Sequence, residues 1–176
     1  MTNTQKLIQR NEAFARTFSK PDLPIIPKFR SVVLACGDAR VDPAHILNLE
    51  LGDSVVIRNN GARVTEEFIN ELATLTFMVA NMDGDNPGPF ELILLHHTQC
   101  GAERFADPQF QAAIQQNLGI DLSDAAIYDH EDCIRDDIQR LRDSEKIPDH
   151  VTVSGYLYDV KSGIIREVSA PSLIRE

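Results

Sequence analysis

The chain has 176 residues, 43% apolar and 25% charged, an ordinary globular balance in a length that buries roughly 70% of the unfolded surface without a disulfide staple. Its formal charge of −10 repels a phosphate backbone or an anionic membrane and so argues against nucleic acid as a partner. The longest near-apolar stretch, LATLTFMVA, is far short of the ~20 residues that span a bilayer, and MTNTQKLIQRNEAFARTF lacks a signal peptide's apolar centre; a cytoplasmic protein without membrane association is expected.

Taken in chain order, the first element is a helix from about residue 4 to 18, with Leu7, Asn11, Phe14 and Phe18 near one face. The prolines of KPDLPIIPK end it. SVVLAC reads as a buried strand, DPAHILNLELG as a short helical stretch closed by Gly52, and DSVVIRN as a second strand. Thr65, Glu66 and Glu67 make a helix start, because a hydroxyl caps the free amides and acids suit the helix dipole. In that helix Phe68, Leu72, Leu75 and Val79 recur at helical spacing. DGDNPGP breaks the chain and ELILLHH is the third strand. Two more helices follow, DPQFQAAIQQNLG with Phe110, Ile114 and Leu118 aligned, and DHEDCIRDDIQRLRDSE with Ile134, Ile138 and Leu141 aligned. The acidic run of the latter is expected to be a solvated face. HVTVSGYLYDV is a fourth strand, and KSG turns it into a fifth, IIREV.

Strands alternating with helices predict an α/β fold with a mainly parallel sheet and crossover helices, because parallel neighbours need connections of this length. An N-terminal helix extension and a C-terminal strand pair complete it, all in one domain, residues 1–176.

In such sheets ligands gather beyond the carboxyl ends of the strands. The first strand stops on Cys36 and runs into Asp38 and Arg40; the third stops on His97 and runs into Cys100. If the two strands are neighbours, both clusters share one sheet edge. A His and a Cys three apart in a tight turn reach one ion, and Cys100 near a helix start is expected as a thiolate. With Cys36 they offer two sulfurs and one imidazole, the donor set of a catalytic zinc site with its fourth position free. A lone Cys or His at a strand end is more often core or turn, but two such clusters at two strand ends outweigh that. His96 alternates in direction with His97, so at most one of them points into the site. The three cysteines are odd in number and widely separated, which disfavours a disulfide framework.

Other chemistries fit worse. A phosphatase-type loop needs an arginine six positions after its cysteine, where Asp42 stands. A cysteine hydrolase built on His97 and Cys100 leaves the Cys36 cluster without a task. GDNPGP and NNGAR match neither a P-loop nor a dinucleotide fingerprint. Cys133 is expected as a half-buried core residue, His45 and His130 as exposed histidines rather than proton relays, and Tyr156 and Tyr158 as packing residues.

Three segments resemble those of the β-class carbonic anhydrases. CGDARVDP resembles their C-x-D-[SA]-R segment, LELGDSVVIRNNGARV is similar to G-D-x-x-V-x-R-N-A-G, and ILLHHTQCG resembles H-x-x-C-G. Order and spacing agree, and with NEAFARTF and VSGYLYDVKSG the resemblance covers nearly the whole chain, nearest to the short microbial members. It implies that Cys36, His97 and Cys100 hold Zn2+ and that Asp38 and Arg40 form a catalytic dyad. The implied reaction is reversible hydration of carbon dioxide to bicarbonate by a zinc-bound hydroxide, since zinc lowers the pKa of water to about 7. Asp38 would aim that nucleophile, and Arg40 would hold the carboxylate off the metal through paired hydrogen bonds. Arg58 and Asn59 would brace the sheet edge. A homodimer or tetramer that uses the N-terminal helix is also implied.

The chain departs from the family at Gln99, where aspartate is usual, and at Asn60, where alanine is usual. Each puts an amide beside the site, with a change in pocket polarity or access expected. Ala39 occurs within the family, and the absence of tryptophan removes support for a regulatory bicarbonate pocket built on one. Two further readings stand beside the hydratase: a hydrolase of carbonyl sulfide or carbon disulfide on the same zinc, and a non-catalytic zinc-binding assembly protein. Asp38 and Arg40 argue against the latter, because a structural zinc needs no such pair.

Overall fold

The computed structural model describes residues 1–84 and 88–175, so the DGDNPGP breaker lies partly outside the described residues. Strand β1 (Ser31–Cys36) is buried along its whole length, the mark of a central parallel strand covered on both faces. It pairs in parallel with β2 (Val55–Asn59) on one side and with β3 (Phe90–His97) on the other. β4 (Val151–Tyr158) continues the parallel sheet beside β3, and β5 (Ile165–Leu173) closes it antiparallel, in the order β2-β1-β3-β4-β5. The expected mainly parallel sheet with a C-terminal strand pair is what forms.

Helices carry the crossovers. α3 (Glu66–Asp83) starts where Thr65 Oγ1 accepts the Phe68 N–H. α4 (Pro108–Leu118) and α5 (His130–Asp143) lie between β3 and β4, and the Asp129 carboxylate caps α5 by accepting the Glu131 and Asp132 N–H groups. α3 and α5 bury the same sheet face: Phe68, Leu72, Ile134 and Leu141 pack with Val32, Leu34, Leu92 and Val153. α5 approaches β4 closely because position 155 is glycine; a Cβ there would stand 2.3 Å from Ile134 Cγ2. On the opposite face Val33, Ala35 and Leu95 pack with Ile46, Leu47, Tyr156 and Tyr158, so both tyrosines pack as expected.

Several elements differ from the sequence reading. α2 (Pro43–Ile46) ends well before Gly52, because Asn48 takes a left-handed φ of 52°. β5 runs past IIREV through Pro171, which an edge strand tolerates because one row of its N–H groups faces no neighbour. α1 (Asn3–Ala15) and α4 bury no residue at all, although both carry aligned apolar side chains. Periodicity identified those helices; α1 leaves Leu7 and Phe14 exposed, while α4 half-buries Ile114 and Phe110, the latter stacked on Phe105. Among the described residues no helix is long and apolar enough to cross a membrane.

Candidate metal centre

Direct pairing of β1 with β3 brings their carboxyl ends to one sheet edge. Cys36 is the last residue of β1 and His97 the last of β3. Beyond His97 the chain reverses through Gln99, whose φ of 57° is left-handed, and returns Cys100 to the same point. The ligand atoms of Cys36, His97 and Cys100 all lie within 4.8 Å of one another, and all three residues are buried. The two sulfurs are 3.7 Å apart. Tetrahedral zinc with Zn–S bonds of about 2.3 Å sets two sulfurs about 3.8 Å apart, so the pair matches that geometry.

The imidazole is prepared as well. His97 Nδ1 lies 3.0 Å from the Thr98 carbonyl, an acceptor that fixes the proton on Nδ1 and leaves Nε2 as the lone-pair atom. Nε2 is buried without a hydrogen-bond partner, which is costly unless something binds it. The donor set therefore fits a zinc ion. The thiols share one hydrogen bond, which favours the thiolate of the accepting sulfur and disfavours ionisation of the donor. One thiol of the pair therefore ionises at the other's expense; a cation between the sulfurs would let both ionise.

His96 points the other way, as alternation requires. Its ring is fully buried and edge-on to His130, 5.5 Å between centroids, and burial pushes its pKa down to about 3. His130 is not the exposed histidine expected. Its side chain is only 15% exposed and its Nε2 lies 3.1 Å from Glu103 Oε1. His45 is exposed on α2 and joins none of these contacts. Cys133 is more deeply buried than expected, with its Sγ towards the Ala126 carbonyl, and it is a core residue.

Asp38 and Arg40 meet at the rim. Arg40 donates from Nε to Asp38 Oδ1 at 3.0 Å and from Nη2 to Oδ2 at 2.6 Å, and its backbone N–H donates to Oδ1 at 2.9 Å. These bonds hold the Asp38 carboxyl well below the usual carboxylate range. Arg40 Nη2 also donates to the Gln99 carbonyl at 3.0 Å, tying the loop after β1 to the turn after β3. Arg58 braces the same loop, donating to the Cys36 carbonyl at 2.9 Å and to the Asp38 carbonyl at 2.6 Å.

A cavity of about 330 Å³ opens beside the cluster, lined by Cys36, Gly37, Asp38, Asn60, Gly61, Gly101, Ala102 and Phe105. Of the two unusual amides only Asn60 lines it. Gln99 is exposed and contributes its backbone, in a φ region that Asn and Asp occupy more readily. Gly61 has φ 82°, and a Cβ there would stand 3.0 Å from the Ala102 Cβ. The wall can approach only because that side chain is missing.

Sequence reasoning missed the anchor behind this wall. Arg63 donates from Nε to Asp137 Oδ2 at 2.8 Å and from Nη2 to Oδ1 at 3.0 Å, and Asp137 Oδ2 also takes the Val64 N–H at 3.1 Å. Arg63 Nη1 bonds the Ala126 carbonyl, and Asn59 Nδ2 and Oδ1 clasp the Arg63 backbone at 2.7 and 3.0 Å. Asp137 is wholly buried, so the acidic run of α5 is not a solvated face throughout. A signal existed: Asp137 falls on the helical stripe of Ile134, Ile138 and Leu141.

Comparison with known proteins agrees with this geometry. The family model described as carbonic anhydrase matches residues 31–141. β-Carbonic anhydrase 1 of Mycobacterium tuberculosis is 33% identical over 171 residues, covering 96% of this chain and 99% of that protein. The carbonic anhydrase structure from Streptococcus mutans superposes with a TM-score of 0.81 at 34% identity, covering 96% of this chain and 99% of that one. A carbon disulfide hydrolase of Acidithiobacillus thiooxidans is 25% identical over 190 residues, 94% of this chain and 90% of the relative. With a matching fold and near-complete alignments at such identity, this chain belongs to the β-carbonic anhydrases, a family of zinc lyases.

Proposed function

We propose that residues 1–176 act as one Zn2+-dependent domain that interconverts carbon dioxide and bicarbonate, with Cys36, His97 and Cys100 as ligands and Asp38 and Arg40 as the catalytic pair. The observation that carries this reading is the sulfur pair at 3.7 Å facing an unpartnered buried His97 Nε2, with an arginine-held carboxylate at its rim. Bound there, zinc would supply the Lewis acidity that makes a nucleophile from water near neutral pH. Asp38, ionised because Arg40 holds its pKa down, accepts a hydrogen bond from the water and turns a lone pair towards the cavity. Arg40 occupies both carboxylate oxygens and so keeps Asp38 from turning into the ligand cluster, where a carboxylate is itself a zinc ligand. Ala102 and Phe105 give the cavity an apolar wall suited to a small uncharged molecule.

Carbon disulfide or carbonyl sulfide is the second reading, supported by the carbon disulfide hydrolase that aligns with 94% of this chain. Both are linear, uncharged and small, like carbon dioxide. A non-catalytic zinc protein is disfavoured by the bidentate Asp38–Arg40 pair.

The test is a side-by-side assay of purified protein on all three substrates, with zinc content measured on every sample. Carbon dioxide hydration is expected to dominate; turnover confined to the sulfur compounds would replace the substrate. Arg40→Ala is expected to keep its zinc and lose about 10²-fold or more in turnover. Asp38→Ala should also keep zinc, with residual turnover that responds to added buffer. Zinc loss in step with activity in Arg40→Ala, or near-normal turnover, would refute the orienting role.

A homodimer or tetramer is proposed as well. Leu7, Phe14 and Phe18 are 59%, 50% and 43% exposed on and just beyond α1, and β2 is an edge strand with no further strand beside it among the described residues, a feature that proteins seldom leave open. Light scattering at micromolar concentration is expected to give at least two chains; a 19.7 kDa species would contradict this. The free thiols Cys36, Cys100 and Cys133 suit the reducing cytoplasm.

A further inference from the structure

We propose that Glu103 and His130 are positioning residues that set how long the site retains zinc; this rests on the zinc reading above. Two of the ligand-bearing segments, the end of β3 and the turn that carries Cys100, are tied to the first residue of α5. Glu103 Oε1 accepts the Cys100 backbone N–H at 2.9 Å and lies 3.1 Å from His130 Nε2. On its other side His130 Nδ1 lies 3.3 Å from Nδ1 of His96, the strand residue next to His97.

The donor inventory fixes the direction of the first contact. An ionised Glu103 can only accept, so His130 Nε2 carries the proton between them, and the two facing Nδ1 atoms share one more. His96 is fully buried and His130 is only 15% exposed, so water competes weakly for these bonds. α5 is a firm base, because the Asp129 cap and the Asp137–Arg63 pair hold it.

The turn needs such support. Gln99 sits in a left-handed conformation between the two ligands, which costs energy for a residue with a Cβ. The Cys100 N–H bond to Glu103 holds the far end of that turn. Without His130 the half-exposed Glu103 carboxylate is free to rotate into water, and the turn keeps only the Arg40 bond to the Gln99 carbonyl at its other end. Neither residue lines the cavity beside the cluster, so each acts through the ligand-bearing backbone. Groups that orient metal ligands in this way are typically worth about 10–100-fold in metal affinity.

The experiment measures the rate of zinc loss to a chelator, and the thermal midpoint of zinc-loaded protein, for native protein and variants. Glu103→Ala and His130→Ala are expected to release zinc about 10-fold faster or more, and the double variant no faster than either single one. His130→Gln, whose amide N–H can stand where Nε2–H stood, should restore most of the retention. His130→Asn is too short to reach Glu103 and should not, which keeps the comparison decisive if the alanine variants fail to fold. Native release rates in both alanine variants, or equal release from His130→Gln and His130→Asn, would overturn the proposal, as would release rates that follow the thermal midpoint. Native protein that binds no zinc would instead overturn the metal reading on which it rests.

Discussion

Cys36→Ser, His97→Ala and Cys100→Ser are each expected to strip most of the zinc and to reduce carbon dioxide hydration to the uncatalysed rate. A site with three protein ligands cannot spare one, because the remaining pair no longer encloses the ion. The chemistry of the replacement matters too. A cysteine binds as the thiolate, whereas a serine hydroxyl stays protonated at neutral pH and offers a weak neutral donor in its place. These losses should leave the fold in place. β1 and β3 are held by their own ladder from Ser31 to Ala35, and Cys36 and Cys100 are small members of a core built mainly by side chains such as Leu34, Leu92, Leu72 and Ile134, which the replacements leave in place. Metal analysis and circular dichroism on the same samples check both halves. Native zinc content in all three variants would end the ligand assignment.

Asp137→Ala is expected to destabilise the folded protein by about 3–5 kcal/mol, the usual cost of stranding a buried charge. In a chain of this size that lowers the thermal midpoint by on the order of 10 °C. The guanidinium of Arg63 is left in a site where its side chain is only 5% exposed, and the Val64 N–H loses its acceptor. Asp137→Asn should fall between, because an amide oxygen can still take the Val64 N–H while the charge is gone. The double replacement Arg63→Met with Asp137→Leu should cost less than Asp137→Ala, since it removes both charges and fills the space. Thermal unfolding at one fixed protein concentration measures this, as association would otherwise shift the midpoint. A change below about 1 kcal/mol in Asp137→Ala, the usual level for a surface ion pair, would show that the pair is solvated.

The elements legible in the sequence were those whose signal is local. SVVLAC was readable because a central parallel strand is apolar at every position, and Thr65-Glu66-Glu67 because a cap and first-turn acids act within one helical turn. α1 and α4 are legible as helices, but among the described residues neither fully buries its apolar face, because periodicity predicts a face and not its partner. The α2 stretch ends earlier than the apolar run of DPAHILNLELG suggests, at a left-handed Asn48, a conformation that asparagine tolerates but does not require.

By itself the sequence determined the order of strands and helices, the strand ends that carry Cys36 and His97, and the carboxylate and guanidinium two residues apart that pair at the rim. Each depends on residues close in the chain, where periodicity, capping and turn chemistry act. Only the tertiary structure decided that β1 pairs with β3, and hence that Cys36 and Cys100 stand 3.7 Å apart. It alone placed Asp137 against Arg63, 74 residues away, and His130 between Glu103 and His96. Those contacts come from the packing of α5 on the sheet, which Gly155 permits and apolar burial drives. Burial then makes charges and ring nitrogens depend on partners that no local pattern names.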